Sequence, residues 1–357
     1  MPIYTRPPFA QRFPARSPVS ASLCAALSAA VALLSVLLAT TVFKDYTVAL
    51  FCGVPVVMGF LTPLFHGMGG RRSFGSMLVV NSLSQLILFS SLLILGVEGV
   101  GCLIMCAPLW LTMALVGTSV AYPLHLALWR GYMEPRGFPV IGLLILLALP
   151  LWMGAEHLAP PTPPLIAVTS IVEIDAPPEI VWQRVISFPD LPPPHDWIFT
   201  LGAAYPLHAD IQGRGIGAVR RCVFSTGTFV EPIRVWDQGK LLAFDVAQSP
   251  PSMHEVNPFW NIHPAHLDGY LLSRHGQFKL IDFGHGRTRL EGTTWYQNNM
   301  FPAAYWQLWS DAIIHRIHLR VLDQVKTLSE RDMHNDATTP RSASQQSPTP
   351  VTGAPQN

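Results

Sequence analysis

Five stretches of this chain contain no Asp, Glu, Lys or Arg, and they dictate a lipid environment for its first half. They lie between Arg16 and Lys44, Asp45 and Arg71, Arg72 and Glu98, Glu98 and Arg130, and Arg136 and Glu156. Each can supply the ~20 apolar residues that a helix needs to cross a bilayer. After Glu156 charges return at an ordinary density. Over the whole chain charged residues make up 13% of 357 residues, roughly half the share usual in soluble domains, and the mean hydropathy is +0.32. The expected architecture is a membrane all-α helical bundle followed by one soluble domain. The bundle occupies residues 17–157, with about five helices at 17–43, 46–68, 74–97, 100–128 and 137–157. The first resembles a signal peptide, but its apolar run exceeds the ~7–15 residues of such segments, and more spans follow. It is read as a retained anchor.

Loop charges set an expected orientation. Arg6, Arg12 and Arg16 in the arm at 1–16, Arg71 and Arg72, and Arg130 and Arg136 fall on one side. Lys44 with Asp45, Glu98 and Glu156 fall on the other. Basic residues stay cytoplasmic because they resist translocation. The N-terminus is therefore expected inside and the soluble domain outside, periplasmic in a Gram-negative cell.

No acid or base sits deep in a span, which speaks against ion transport. Asn81 and Gln85, one turn apart, read as hydrogen-bond partners between helices, with His125 near the end of the fourth span. Ser22, Ala26 and Ala30 form a small-residue face for close packing. Cys24, Cys52, Cys102 and Cys106 read as apolar packing, and Cys222 is the lone cysteine of the soluble half, which therefore has no internal disulfide.

Pro160, Pro161, Pro163 and Pro164 make residues 158–164 a semi-rigid linker. From Leu165 to Asp175 the pattern alternates as a strand, and Ala176-Pro177-Pro178-Glu179 opens a helix. A proline-broken stretch follows, from Pro189 to Pro206. Turn signals then separate strands at Ala218 to Phe224, Thr228 to Trp236 and Leu241 to Ala247. A Pro- and His-rich loop runs from Ser249 to Asp268. Tyr270 to Phe283 forms one strand or two, and Thr288 to Tyr296 the last. A long helix begins at Ala303, with Ile313, Ile317, Val321 and Val325 at helical spacing. Composition assigns 330–357 to a disordered tail.

Residues 165–329 resemble the START-like (Bet v 1-like) superfamily in its polyketide cyclase/dehydrase branch. The resemblance rests on the opening strand running into Ala176-Pro177-Pro178-Glu179-x-Val181-Trp182, on Phe188-Pro189-Asp190, on Gly215-x-Gly217 before a strand, and on the long terminal helix. It implies an α+β helix-grip fold, a curved antiparallel sheet around a long C-terminal helix, enclosing a hydrophobic cavity. It carries over no catalytic residue, because the superfamily shares none.

Candidate residues follow from patterning. Glu231 shares its strand face with Phe229, Ile233 and Val235, the face expected to be buried. With Thr226-Gly227 as the turn, Cys222 stands opposite Glu231 and Arg220 on the diagonal. A carboxylate on an apolar face must be paired or protonated. A structural Arg220–Glu231 pair is the plainer reading, and an acid/base or ligand-binding role the sharper one. Arg220, Phe229, Glu231, Ile233, Phe244, Tyr296, Trp306 and Trp309 are the cavity candidates. His263, His266 and Asp268 are loop candidates with His254 and Glu255 upstream, but Pro264 and the spacing match no standard zinc pattern. The loop is expected to cover the cavity mouth, and no metal is assigned. Asp311, His315 and His318 share one stripe of the last helix, read as a solvated face. Gly213, Gly215 and Gly217 precede a strand rather than a helix, which argues against a nucleotide loop. His195 and Asp196 lack the nucleophile elbow of a hydrolase triad.

The leading expectation is a membrane-anchored domain that binds a lipid or another hydrophobic small molecule without catalysis, as carrier, presenter or sensor. The alternative is a cyclase- or dehydrase-type enzyme using Glu231 or the His263/His266/Asp268 loop. The expected partners are the bilayer and the ligand. No cofactor signature is present, and a net charge of +1 gives no electrostatic case for nucleic acid.

Overall fold

The structure, a computed structural model, describes residues 18–68, 70–129 and 137–338. Arg6, Arg12, Arg16, Arg130 and Arg136, and residues 339–357, lie outside the described residues. Helix α1 (Pro18–Leu37) runs on as a π-helical segment, Leu38–Phe43, and a second one, Ala49–Gly53, leads into α2 (Val54–Met68). Then come α3 (Phe74–Ile94), α4 (Val100–Trp129) and α5 (Gly137–Leu158). Four helical stretches, Ala21–Phe43, Ala49–Met68, Phe74–Ile94 and Val100–Trp129, are long and apolar enough to cross a membrane, and α5 adds the shorter apolar helix Leu144–Leu158. Leu34, Val79, Leu86 and Leu151 point outward and are exposed. A belt of this kind suits lipid and would be an aggregation surface in water.

Inside the bundle a chain of polar side chains links three helices. Asn81 donates to Thr118 (3.1 Å), Gln85 donates to Asn81 (3.1 Å), and the Trp110 indole donates to Gln85 (2.7 Å). Thr118 in turn donates to the Gly59 carbonyl (3.0 Å), which ties α3, α4 and α2 together. The small-residue face of α1 differs from the expected one. Ala25, Ala29 and Ala32 are buried, whereas Ser22, Ala26 and Ala30 face outward. Small residues occur all round this helix, so their spacing does not select a side. Helices α2 and α4 approach through glycine. A Cβ on Gly59 would lie 2.0 Å from the Ala114 carbonyl oxygen, and one on Gly117 would lie 2.2 Å from that of Val56.

The soluble part is an antiparallel sheet covered by helices. Its elements are β1 (Ile166–Ile174), α6 (Pro178–Ile186), α7 (Trp197–Thr200), β2 (Pro206–Gln212), β3 (Val219–Phe224), β4 (Gly227–Asp237), β5 (Leu241–Asp245), β6 (Leu271–Asp282), β7 (Thr288–Asn298) and α8 (Ala303–Thr338). The seven strands are ordered β1-β7-β6-β5-β4-β3-β2. The curled sheet gripping α8 is a helix-grip fold. Pro178 starts α6 with its φ already helical. The inner face of α6, Val181, Trp182 and Val185, meets Leu242, Leu290, Leu322 and Val325 in the main core.

Several local expectations change. Strand β2 was not expected: it begins at Pro206, where the proline-broken stretch ends, and forms one edge of the sheet. The β3–β4 hairpin pairs Phe224 with Gly227, so Ser225 and Thr226 form its tip and Arg220, not Cys222, stands opposite Glu231. A bulge between Ile233 and Val235 resets the pleat. Trp236 therefore packs on the core, and Val235 is exposed. Helix α8 extends to Thr338, so residues 330–338, assigned to a tail by composition, are helical.

The two halves meet at one end of the bundle. The Val100 amide donates to the Val256 carbonyl (2.8 Å), and the Phe301 amide donates to that of Tyr46 (2.9 Å). Asn257 donates to the carbonyls of Leu93 (2.9 Å) and Glu98 (3.2 Å), and the Trp260 indole donates to that of Ile94 (2.7 Å). Tyr270 and Tyr305 donate to the carbonyls of Lys44 and Met105. Trp306, in the second turn of α8, packs edge-on against Phe51 with ring centroids 4.9 Å apart. Helix α5 returns to this end, where His157 bonds Asp45 at 2.6 Å. Arg71 and Arg72, between α2 and α3, are at the opposite end.

The backbone contact of α2 with α4 yields a prediction. Gly117→Ala should lower the stability of the detergent-solubilised chain by about 1–3 kcal/mol, the usual range for overpacking. Gly154→Ala, with nothing within 4 Å of the new Cβ, should be neutral or slightly stabilising. Equal melting temperatures for the two variants would contradict the packing described.

Candidate functional site

Between the sheet and α8 lies a cavity of about 110 Å3. Its walls come from both layers: Phe224, Phe229, Phe244 and Phe278 from the strands, and Ile314, Ile317, Val321 and Leu322 from α8. Sheet curl opens this space, since α8 crosses a concave face that its side chains do not completely fill. The volume is about a third of the ~300 Å3 at the lower end of ligand sites. It is of the same order as the ~150 Å3 engineered cavity that accepts benzene. It is on the scale of a single compact ring.

One ion pair borders the cavity. Arg220 and Glu231 are register partners on β3 and β4, both buried, and the guanidinium donates to the carboxylate. Arg220 sits among three rings, 5.6 Å from the centroid of Phe188, 5.7 Å from Phe244 and 5.5 Å from Phe278. Ring faces offer partial compensation for a desolvated cation. Burial pushes the Glu231 carboxyl up from its ordinary range, and the adjoining guanidinium opposes that shift. Because arginine stays charged in proteins, the arrangement is an ion pair at neutral pH. The Nε of Arg220 is buried without a hydrogen-bond partner. It is an unpaired donor on a side chain that lines the cavity.

Two histidines that the sequence reading did not place here also line the cavity. The His318 ring bridges Ser170 of β1 (3.1 Å) and Thr294 of β7 (2.7 Å). Burial and the neighbouring His315 hold its pKa down at about 4, so it is neutral at physiological pH. The stripe of Asp311, His315 and His318, read as a solvated face, is bonded to the sheet instead, although His315 remains exposed: Tyr296 donates to Asp311 (2.6 Å), and the Ser170 hydroxyl lies 2.7 Å from His315. At the cavity edge His275 Nδ1 lies 2.6 Å from Asp245, an imidazole oriented by a carboxylate.

Of the expected cavity residues, Arg220, Phe229, Glu231 and Phe244 line the space. Ile233 lies in the core beneath it. Tyr296 packs with Val168 and Ile314. Trp306 and Trp309 line a second cavity of about 60 Å3 beside the bundle, with Met253, Met300 and Trp197.

The loop candidates separate. His263 and Asp268 form an exposed pair at 3.0 Å. His266 turns the other way, into a buried group with Glu255 of its own loop and with Glu98 and Cys102 of the bundle. Burial disfavours the charged imidazole, but Glu98 and Glu255 together raise its pKa above the ordinary value. Burial also raises that of Glu98. The loop does not cover the cavity mouth, as the sequence suggested. None of its residues borders the cavity between the sheet and α8, and it docks on the bundle instead. Glu98 and Glu255 stand far apart in sequence, and no spacing rule links them.

No family model matches the chain, and no curated protein matches it. Solved structures do, over about half of it. The Zhui aromatase/cyclase from Streptomyces sp. R1128 is 15% identical, covering 48% of this chain and 96% of that one at a TM-score of 0.32. A norcoclaurine synthase from Thalictrum flavum is 13% identical, covering 48% of this chain and 99% of that one at 0.32. A protein from Nitrosospira multiformis is 16% identical, covering 47% and 99% at 0.30.

The buried pair generates a stability prediction. Glu231→Gln should destabilise the chain by about 3–5 kcal/mol, because it strands a buried guanidinium. Adding Arg220→Met should recover most of that loss, since a hydrophobic pair of similar volume is close to neutral. Chemical unfolding of the three proteins measures this, and a double variant as unstable as the sum of its parts would contradict it.

Proposed function

We propose that this chain is a membrane-anchored binding module whose soluble domain holds a compact, largely apolar molecule between its sheet and α8. The observation that carries the reading is the cavity itself. It is walled mostly by phenylalanine and aliphatic side chains, and its polar groups include the Arg220–Glu231 pair with its unpaired Nε, His275, Gln277 and His318. Apolar walls with a few placed polar groups are the usual composition of small-molecule sites. Its volume narrows the ligand from lipids in general to something the size of a single ring.

The bundle belongs to this reading as an anchor. Four helices have the length and composition of spans, and the exposed apolar belt has no use in water. Arg71 and Arg72 lie at the end opposite the soluble domain, and basic loops stay cytoplasmic. That supports a domain on the extracytoplasmic face. Helix α8 lines the cavity with Ile314, Ile317, His318 and Val321, and it meets the bundle with Trp306. Occupancy at one end of a rigid helix therefore has a mechanical route to the spans, which favours a sensor over a free carrier.

A catalytic alternative has one observation in its favour, the His275–Asp245 pair at the cavity edge. Arg220 is engaged with Glu231, and His318 with Ser170 and Thr294.

The test is to purify the full chain in detergent and identify retained small molecules by mass spectrometry, with benzene and indole as titrated probes. A compact apolar compound should be found or a probe should bind, and Ser273→Phe, which adds a ring to the cavity lining, should abolish it with the fold intact. Neither retention nor probe binding by the wild-type chain would sink the reading. Turnover of the recovered compound, lost in His275→Asn, would replace it with the catalytic one.

A further inference from the structure

Four metal-binding side chains converge where the two halves of the chain meet. Glu98 lies in the turn between α3 and α4, and Cys102 lies one turn further on, inside α4. Glu255 and His266 come from the loop between β5 and β6. One donor atom from each lies within 4.8 Å of the others, and all four residues are buried.

Hydrogen bonding does not complete this group. Glu98 accepts from the Tyr46 hydroxyl through one oxygen (2.9 Å), and His266 Nε2 stands 3.2 Å from one oxygen of Glu255. The second oxygen of each carboxylate and His266 Nδ1 are buried with no hydrogen-bond partner. His266 Nδ1 and the free oxygen of Glu98 are 3.5 Å apart. Two carboxylates share this buried space with one imidazole, and with both ionised one negative charge would lack a partner even with the ring protonated, so a cation or a retained proton must supply the balance. No ion pair between either carboxylate and a lysine or arginine is found among the described residues. An unpaired buried charge is among the costliest features a fold can hold. The backbone is also shaped around the group: a Cβ on Gly99 would lie 1.9 Å from the free oxygen of Glu255.

We propose that Glu98, Cys102, Glu255 and His266 bind a divalent transition-metal ion, zinc by the chemistry of its donors, and that this ion fastens the soluble domain to the membrane bundle. One thiolate, one imidazole and two carboxylates form the mixed S, N and O set that zinc accepts. Calcium and magnesium call for oxygen donors alone. A tetrahedral zinc needs its donors roughly 3.5 Å apart, a small contraction of the present cluster. With all four positions supplied by protein, the centre is of the closed, structural type. The Tyr46 hydroxyl holds Glu98 in place from the outer shell. Two ligands come from each half of the chain, so the ion bridges them.

The test uses the full chain in nanodiscs. Elemental analysis should find about one zinc per chain, or the metal-stripped chain should take up about one added zinc ion against a competing chelator. Glu255→Gln and His266→Asn should weaken zinc at least ~100-fold, while His263→Ala should leave it unchanged. Because those variants could lose their fold, cobalt substitution provides a second readout. Cobalt in the wild-type chain should give a thiolate charge-transfer band that Cys102→Ser removes while the d–d bands remain. A folded wild-type chain that neither carries nor takes up a transition metal overturns the proposal. So does a cobalt spectrum that Cys102→Ser leaves unchanged. In either case the carboxylates share a proton instead.

Discussion

A backbone amide or carboxylate that leaves water must find a partner, and at the junction of this protein the partners come from the other half of the chain. Val100 opens α4, where the first amides have no partner within the helix; its N–H is taken by Val256 of the soluble loop. Asn257 and Trp260 of that loop bond the last carbonyls of α3 and the turn beyond it. The Phe301 amide, just before α8, is taken by Tyr46. These bonds fix where α8 starts and how it is aimed. From there it crosses the sheet, and the space it leaves is the candidate ligand cavity. The buried group of Glu98, Cys102, Glu255 and His266 lies in the same junction.

Much of this was legible in the sequence where a single physical rule acts locally. Lipid excludes charge, so charge-free stretches marked the helices of the bundle. Strand alternation and turn residues marked most of the sheet, and proline at Pro178 marked the start of α6. Glu231 stood out because a carboxylate on an apolar face needs an explanation, and Arg220 was its nearest cation.

The remainder depended on contacts that no local pattern encodes. The tip of the β3–β4 hairpin is Ser225 and Thr226 rather than Thr226 and Gly227, which turns a diagonal neighbour of Glu231 into its direct partner. The bulge beside Arg234 exchanges Val235 for Trp236 in the core, and a bulge has no periodic signature. Trp306 and Trp309, aromatic and on the cavity helix, serve the junction because α8 starts at the bundle. His266 looked like a loop residue beside His263 and Asp268. Of its neighbours, Glu98 read only as a charge in the loop between two spans, and Cys102 only as apolar packing within one.

The central claim is that the soluble domain and the bundle form one docked body rather than two units on a proline tether. Hydrogen exchange of the full chain in nanodiscs tests it most directly. The account predicts that the amides of Val100 and Phe301 exchange as slowly as those in the paired interior of β6 and β7. Fast exchange at Val100 and Phe301, with β6 and β7 still protected, would contradict it.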